Sequence, residues 1–363
     1  MKNLVLVLLL NLLGASFISD AQNLILLNGT DSLRENLSGK LKQDQPGAAI
    51  IITWKDSIIF EDYYGLANLE TGEKLNRKHR MGIASMSKQF EGMAVLMLVA
   101  EGKLSFDDDI REYFPDLPLG DRKITIRQLL SHTSGLPELT QNETFMNTLD
   151  QKRSVDEIID LAFTGDFRHD PGEKYQYCNT GYTIVVALIE QLSGMTYGEY
   201  LSRKIFLPLG MKNTYSCSTT HDAIDAVPRY EIDSIGYKKA LRMDFSNLIG
   251  GGGIVSNAQD IAKWNLALLN GTSLPGNYME LWNPVFLNDG KSTDYGLGIA
   301  ISDLHGIPFY YHPGMGSGMN SVNLIFPDYD LSITVIRNVS KPKVSSVEIA
   351  LSAAGHLIGS ADN

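Results

Sequence analysis

Apolar residues along this chain follow two spacings, and the order in which they occur sets the expected architecture. Near the start, Leu33, Leu37 and Leu41 recur at every fourth position, which is one face of a helix, and Pro46-Gly47 ends it. Ala48 to Trp54 and Ser57 to Tyr64 are runs rich in isoleucine and aromatic residues. Lys55-Asp56 joins them, which predicts two strands in a tight hairpin. The C-terminal part has the same character. Strands are expected over Gly296 to Ile301, Phe309 to His312, Ser321 to Phe326 and Leu331 to Ile336, with Asp328-Tyr329-Asp330 turning between the last two. A helix over roughly Val344 to Ile358 follows.

The middle of the chain, about 85 to 285, changes period. Phe90, Met93, Met97 and Ala100 predict a helix over 86–100, and Thr183 to Leu192 reads as another. Ser154-Val155-Asp156-Glu157 and Ser256-Asn257-Ala258-Gln259 both have the pattern of a capping box before an apolar run. Strands at both ends with helices between predict an α+β fold. Its antiparallel sheet is formed by the N- and C-terminal segments (about 22–80 and 290–363), flanked by helices, with a mainly helical inserted subdomain (about 85–285). No repeat or polar linker divides residues 22–363, so two subdomains sharing one core are expected.

Residues 1–21 have the character of a signal peptide. Lys2 is followed by the aliphatic run Leu4 to Leu13, then by Ser19 and Ala21 at the positions that precede a cleavage site. That run is about ten residues, half of the roughly 20 a membrane-spanning helix needs, and no lipoprotein cysteine follows it. The expectation is an exported protein, periplasmic or secreted, starting near Gln22 without a stable membrane anchor. The chain has 31 basic and 42 acidic residues, a net charge of −11, and no basic cluster, which argues against nucleic acid or an anionic membrane as partner. Oligomeric state is not legible. Two cysteines, Cys178 and Cys217, are expected as free thiols.

Ser85-Met86-Ser87-Lys88 is the most informative short segment. A serine at a helix start and a lysine three residues on share a face, so the amine can reach the hydroxyl. A serine hydroxyl needs such a neighbouring base to become a nucleophile. Ser-x-x-Lys alone is also a common surface pattern. Three further segments add weight. In Pro171 to Tyr182, Tyr177 and Asn179 can point into one cleft if the backbone there is not helical. A phenol beside a lysine can carry a proton, and an amide can hold a substrate amide or the lysine. Tyr177 can equally be a core aromatic. In His312-Pro313-Gly314-Met315-Gly316-Ser317-Gly318, glycine lets a substrate backbone approach a strand edge, and a backbone N–H there could join that of Ser85 in an oxyanion hole. A bulged hairpin is the plain alternative. His132, in Ser131-His132-Thr133-Ser134-Gly135, is expected as a structural histidine rather than a catalytic one.

Taken in order, these segments resemble the serine beta-lactamase-related hydrolases. The likeness is greatest to the branch holding class C beta-lactamases, D,D-carboxypeptidases, D-aminopeptidases and certain esterases. Ser-x-x-Lys at 85–88, Tyr-x-Asn at 177–179 and His-x-Gly at 312–314 carry it, with HTSGLP at 132–137, GGGIVSNAQDIAKW at 251–264 and YGLGI at 295–299 in support. The resemblance implies that Ser85 forms an acyl-enzyme, that Lys88 and Tyr177 move its proton, and that Asn179 contacts the substrate amide or the lysine. It implies a substrate-binding place for His312 and Gly314, and backbone oxyanion donors at Ser85 and Met315. His312 stands where beta-lactamases have lysine. A histidine is mostly neutral at pH 7, and Pro313 removes a hydroxyl and an N–H, so carboxylate recognition is weakened.

No Gly-Lys-Ser/Thr follows Gly250 to Gly253, no His-Glu-x-x-His or paired cysteines mark a zinc site, and no Gly-x-Ser-x-Gly elbow occurs. A metal-independent serine hydrolase without a cofactor is therefore expected. Its substrate would be a small molecule or peptide: a cell-wall D-amino peptide, an amide or a small ester. The alternatives are a beta-lactamase proper, or a penicillin-binding sensor with little turnover.

Overall fold

Residues 30–217, 226–271, 274 and 277–359 are described by a computed structural model of the chain. The expected signal peptide lies outside the described residues. Six strands form one antiparallel sheet: β1 (Ala48–Trp54), β2 (Ser57–Tyr64), β3 (Ala300–Leu304), β4 (Ile307–Gly316), β5 (Met319–Phe326) and β6 (Leu331–Arg337). Their spatial order is β3-β4-β5-β6-β1-β2, so the N-terminal hairpin is zipped onto the last strand through pairs such as Ile51 with Thr334. The α+β sheet built by both chain ends is as expected from the pattern. The β1–β2 turn at Lys55-Asp56 is also as expected, with Lys55 at φ 51.

Five helices matter for the site: α1 (residues 30–40), α2 (Lys88–Ala100), α3 (Asn179–Ser193), α4 (Ala258–Asn270) and α5 (Ser346–Gly359). Strand alternation sends side chains to opposite faces. Ala48, Ile50 and Ile52 pack with Leu33 and Leu37 of α1 and Ile349, Ala353 and Leu357 of α5. Ala49 and Ile51 point the other way, into the core holding Phe90 of α2 and Trp264 of α4. Because α4 packs on β1 and β6, the last helix of the middle segment belongs to the sheet layer.

Three local expectations are corrected. Gly296 to Ile299 is not strand; the strand begins at Ala300. The segment 295–299 is a turn pressed onto α2, where a Cβ on Gly298 would collide with the Lys88 carbonyl oxygen and one on Gly92 with that of Leu297. Its glycines mark a backbone crossing, not a sheet edge. The α4 cap is Asn257, whose side chain accepts from the Asp260 N–H, rather than a box opened by Ser256. The Ser256 hydroxyl is instead paired with Thr214 at 2.7 Å. The glycine-rich stretch after His312 is also not a connection between strands, since β4 continues to Gly316. The Ser154–Glu157 capping box is present.

The sheet and the helices on its inner face are tied by buried amides. Asn265 Nδ2 of α4 donates to Asn323 Oδ1 at 2.7 Å, and Asn323 Nδ2 returns a bond to Asn265 Oδ1 at 2.6 Å. Gln89 Oε1, the residue after Lys88, accepts from both Asn323 Nδ2 and Trp264 Nε1 at 3.2 Å. Such a network is costly to break because a buried partner is left unpaired. Asn265→Leu is expected to lose about 2–3 kcal/mol in urea unfolding. Asn270→Ala, which removes an exposed bond to Asp56 on the same helix, should stay within about 0.5 kcal/mol. Equal losses would show that the network carries no special weight.

Candidate active site

Ser85 lies on a short 3-10 turn, Ala84–Ser87, with α2 starting at Lys88. The helix expected over 86–100 thus starts two residues later. The consequence for the pair is favourable, because side chains three apart eclipse one another in a 3-10 turn. Ala84, just before Ser85, has φ 47, a left-handed conformation uncommon for a residue with a Cβ. It is held on both sides: the Ile83 carbonyl accepts from Ser321 Oγ at 2.7 Å and the Ala84 carbonyl from Ser87 Oγ at 2.7 Å. Ser85 is the half-buried residue in an otherwise buried stretch from Met81 to Phe90.

Lys88 has no exposed surface. Its Nζ donates to Asn179 Oδ1 and to the Gly251 carbonyl, each at 3.0 Å. The same nitrogen lies 4.9 Å from the Tyr177 ring centroid and 4.8 Å from that of Tyr182. A Cβ on Gly251, which has φ 121, would collide with Nζ, so this glycine is what lets its carbonyl reach the lysine. Tyr177 and Asn179 do converge as expected. Cys178 between them is extended at φ −144 and ψ 112, and Asn179 opens α3. The buried Tyr177 hydroxyl has no hydrogen-bond partner among the described residues. Asn179 makes the lysine contact of its two expected roles. Its amide is spent at both ends, since Nδ2 donates to Glu138 Oε1 at 2.9 Å.

His312 is placed differently from the expectation of a substrate contact. Its ring is 1% exposed and both nitrogens are taken. Nδ1 donates to the Pro313 carbonyl at 2.7 Å, and Nε2 accepts from the Tyr295 hydroxyl at 2.8 Å. That hydroxyl accepts in turn from His132 Nε2 at 3.2 Å, while His132 Nδ1 accepts from the Cys178 N–H at 3.0 Å. The chain of bonds fixes the tautomer of each histidine. Burial, then the Lys88 charge, pushes His312 down to about 3. Burial, followed by the Lys88 charge and the nearness of the His312 ring, holds His132 well below the ordinary imidazole range. Both rings are neutral at pH 7. His132 is thereby seen as the structural residue expected.

Gly314 also serves the protein rather than presenting space to a ligand. A Cβ there would collide with the Ile83 carbonyl oxygen and Ser321 Oγ. Strand β3 pairs with β4 only as far as Tyr311, so residues 312–316 run beside the Ser85 turn instead. Met315 and Ser85 line one cavity of about 250 Å³. Cys178 and Cys217 are buried thiols not joined in a disulfide, and burial pushes the Cys178 thiol up to about 11.

Three supporting residues gave no motif. Glu138 Oε2 accepts the Asn179 N–H at 2.7 Å, which locks the start of α3. Arg168 donates to the carbonyls of Leu136 at 2.8 Å and Tyr177 at 3.0 Å, clamping the tyrosine loop. Glu91 Oε1 accepts from the Gly251 N–H and Tyr197 Oη, both at 2.9 Å, so it holds the residue whose carbonyl binds Lys88. Its other oxygen is buried without a partner. A lone carboxylate on an apolar helix, one turn after Lys88, was the available signal.

Residues 33–356 match the family described as Beta-lactamase. The chain belongs to the beta-lactamase family. It is 28% identical over 321 residues to penicillin-binding protein 4* of Bacillus subtilis, covering 83% of this chain and 70% of that one. Protein flp of Staphylococcus aureus is 26% identical over 317 residues, covering 82% of this chain, which spans 61% of flp. Among solved structures, the octameric penicillin-binding protein homologue from Pyrococcus abyssi superposes with a TM-score of 0.78 at 26% identity, over 91% of this chain and 77% of that one. D-amino acid amidase from Ochrobactrum anthropi SV3, complexed with L-phenylalanine amide, shares the fold at TM-score 0.76 and 23% identity, over 94% and 99%. This beta-lactamase family membership supports a serine hydrolase of the beta-lactamase and penicillin-binding type.

Burial raises the Glu91 carboxyl to about 7, against the Lys88 charge, which favours ionisation. The folded chain keeps this proton to higher pH than the unfolded chain, whose glutamates ionise near 4.3. Folded protein therefore binds more protons between about pH 4.5 and 7, and this group lowers stability as pH rises through that window. Glu91→Gln should remove that fall, gaining on wild type by up to about 3 kcal/mol from pH 4.5 to 7.5. Parallel stability–pH curves would refute the assignment.

Proposed function

We propose that this protein is an exported serine hydrolase that acylates Ser85 with an amide or ester carbonyl. The observation that carries the reading is the buried Lys88 nitrogen, held by two oxygen acceptors one 3-10 turn from a half-buried serine. To act as the base Lys88 must first give up a proton, and the neutral amine then has two N–H donors and one lone pair. Asn179 Oδ1 and the Gly251 carbonyl fill the two donors, which leaves the lone pair to take the Ser85 proton. The unpartnered Tyr177 hydroxyl is the group free to pass that proton to the leaving group. Backbone N–H groups of Ser85 and Met315 are the proposed donors to the oxyanion. Water then hydrolyses the acyl-enzyme.

The substrate class proposed is a D-amino amide, a cell-wall D-amino peptide or a small ester. No charged side chain lines the cavity beside Ser85, and the neutral, enclosed His312 offers no fixed cation to a substrate carboxylate. This favours neutral amides and esters over penicillins. The structural likeness to an amidase complexed with an amino acid amide is in keeping with it. The leader at 1–21 supports export to the periplasm or the exterior.

Ser85→Ala is expected to lower kcat/KM on p-nitrophenyl acetate or D-phenylalanine amide by about 10³-fold or more, with an unchanged melting temperature. Lys88→Ala should cost nearly as much, because the two residues act as one unit. Activity retained in Ser85→Ala would overturn the proposal. Incubation with a penicillin, followed by intact mass, should show no lasting adduct; a stable adduct on wild type alone would favour the penicillin-binding sensor instead.

A further inference from the structure

The cavity beside Ser85 has walls of two kinds, and only one of them is available to a ligand. Its polar side chains other than Ser85 are Thr140, Asn179, Thr183, Asn247 and Ser317. Each is already spent on the protein. Thr140 Oγ1 donates to Glu138, Asn179 bridges Lys88 and Glu138, and Thr183 Oγ1 reaches backbone carbonyls of α3 and Ile249. Asn247 Nδ2 donates to the carbonyls of Leu149 and Gln151 while its Oδ1 accepts from Arg153, and Ser317 Oγ donates to Glu231. What remains is apolar: Met146, Met243, Met315 and Met319, with Phe145 and Leu149.

The exposure of these residues points the same way. Met315 is 64% and Met146 45% exposed, and Leu241, in the wider cleft, is 74% exposed. Large apolar side chains facing water around a cleft mark a surface that meets an apolar ligand, and methionine adapts its shape to what it meets. The cavity continues through Met146, Met243 and Met315 into a wider cleft of about 1090 Å³, where charged residues first appear as Asp150, Glu231, Arg242 and Lys341. A leaving group must depart to solvent, so the wide, mixed-charge cleft suits it. The smaller inner cavity suits the acyl group that stays on Ser85.

We propose that the inner cavity is an acyl subsite for an uncharged apolar group, recognised by removal from water rather than by hydrogen bonds. It rests on the serine hydrolase reading above. At roughly 30 Å³ for each water-sized group, 250 Å³ holds a chain of about eight carbon atoms. Each methylene moved from water into an apolar site is worth about fourfold in binding. The six methylenes that separate octanoate from acetate should therefore register strongly even if only some are fully buried.

The test compares p-nitrophenyl acetate, butyrate and octanoate, which share one leaving group, below the concentration at which octanoate aggregates. Octanoate is expected to exceed acetate at least tenfold in kcat/KM, with most of the gain in KM. Met146→Glu, on the surface of the short helix Glu143–Asn147, should lower the octanoate-to-acetate ratio about tenfold while the melting temperature holds. Octanoate no better than acetate in wild type, or a ratio unmoved by Met146→Glu, would overturn the subsite while the hydrolase reading stands. Absence of any Ser85-dependent ester turnover would overturn both.

Discussion

Removing the Lys88 nitrogen from water is offset by only two oxygen acceptors and the faces of two tyrosines. Those groups come from two places in the chain, the start of α3 with the loop before it and the glycine loop before residue 254, and Glu91 of α2 steadies the second by accepting the Gly251 N–H. The surrounding backbone is shaped by the same lysine. Gly251 has no Cβ because Nζ occupies that space, and Gly298 has none because the lysine's own carbonyl does. Buried amines need paired acceptors to be tolerated at all, so the packing of the helical layer and the chemistry of the pocket are one arrangement.

The histidine chain has a related logic. His132, Tyr295 and His312 form an unbroken line from the Cys178 N–H to the Pro313 carbonyl, with every donor and acceptor used once. It joins the tyrosine loop to the strand beside Ser85, and it does so without adding a charge near the lysine. A protonated ring there would repel Nζ across a water-poor interior. The neutral tautomers are what allow both histidines to be this close.

Much of the sheet was legible because strands covered by helices on both faces read as short, dense apolar runs: Ala48 to Trp54, Ser57 to Tyr64 and Leu331 to Ile336 are placed as the pattern predicts. Segments with glycine were less legible. In 296–299 and 312–316 the pattern shows that backbone comes close to something, but not whether the neighbour is a ligand, a helix carbonyl or another strand. Motif spacing pointed to Lys88, Tyr177 and Asn179, which do meet around the lysine nitrogen, and to Ser85, which lines a cavity with Asn179. It could not show that the His312 ring is turned inward, since burial depends on Tyr295, which lies in a different segment. Glu138 and Arg168 act through backbone groups of distant loops and so left no local signature.

The sheet order β3-β4-β5-β6-β1-β2 has a consequence for how the molecule comes into being. Strand β1, near the start of the described chain, has its inner neighbour in β6, nearly 290 residues later, through the register Ala48 with Arg337. During synthesis the hairpin β1–β2 exists long before anything can pair with its inner edge, and α1 has only half of the surface it later shares with α5. Closing so long a loop is entropically slow, and the reward arrives only with the final strands. The sheet of the growing polypeptide therefore stays open until its last tenth is made, and its first hairpin waits with one edge unpaired.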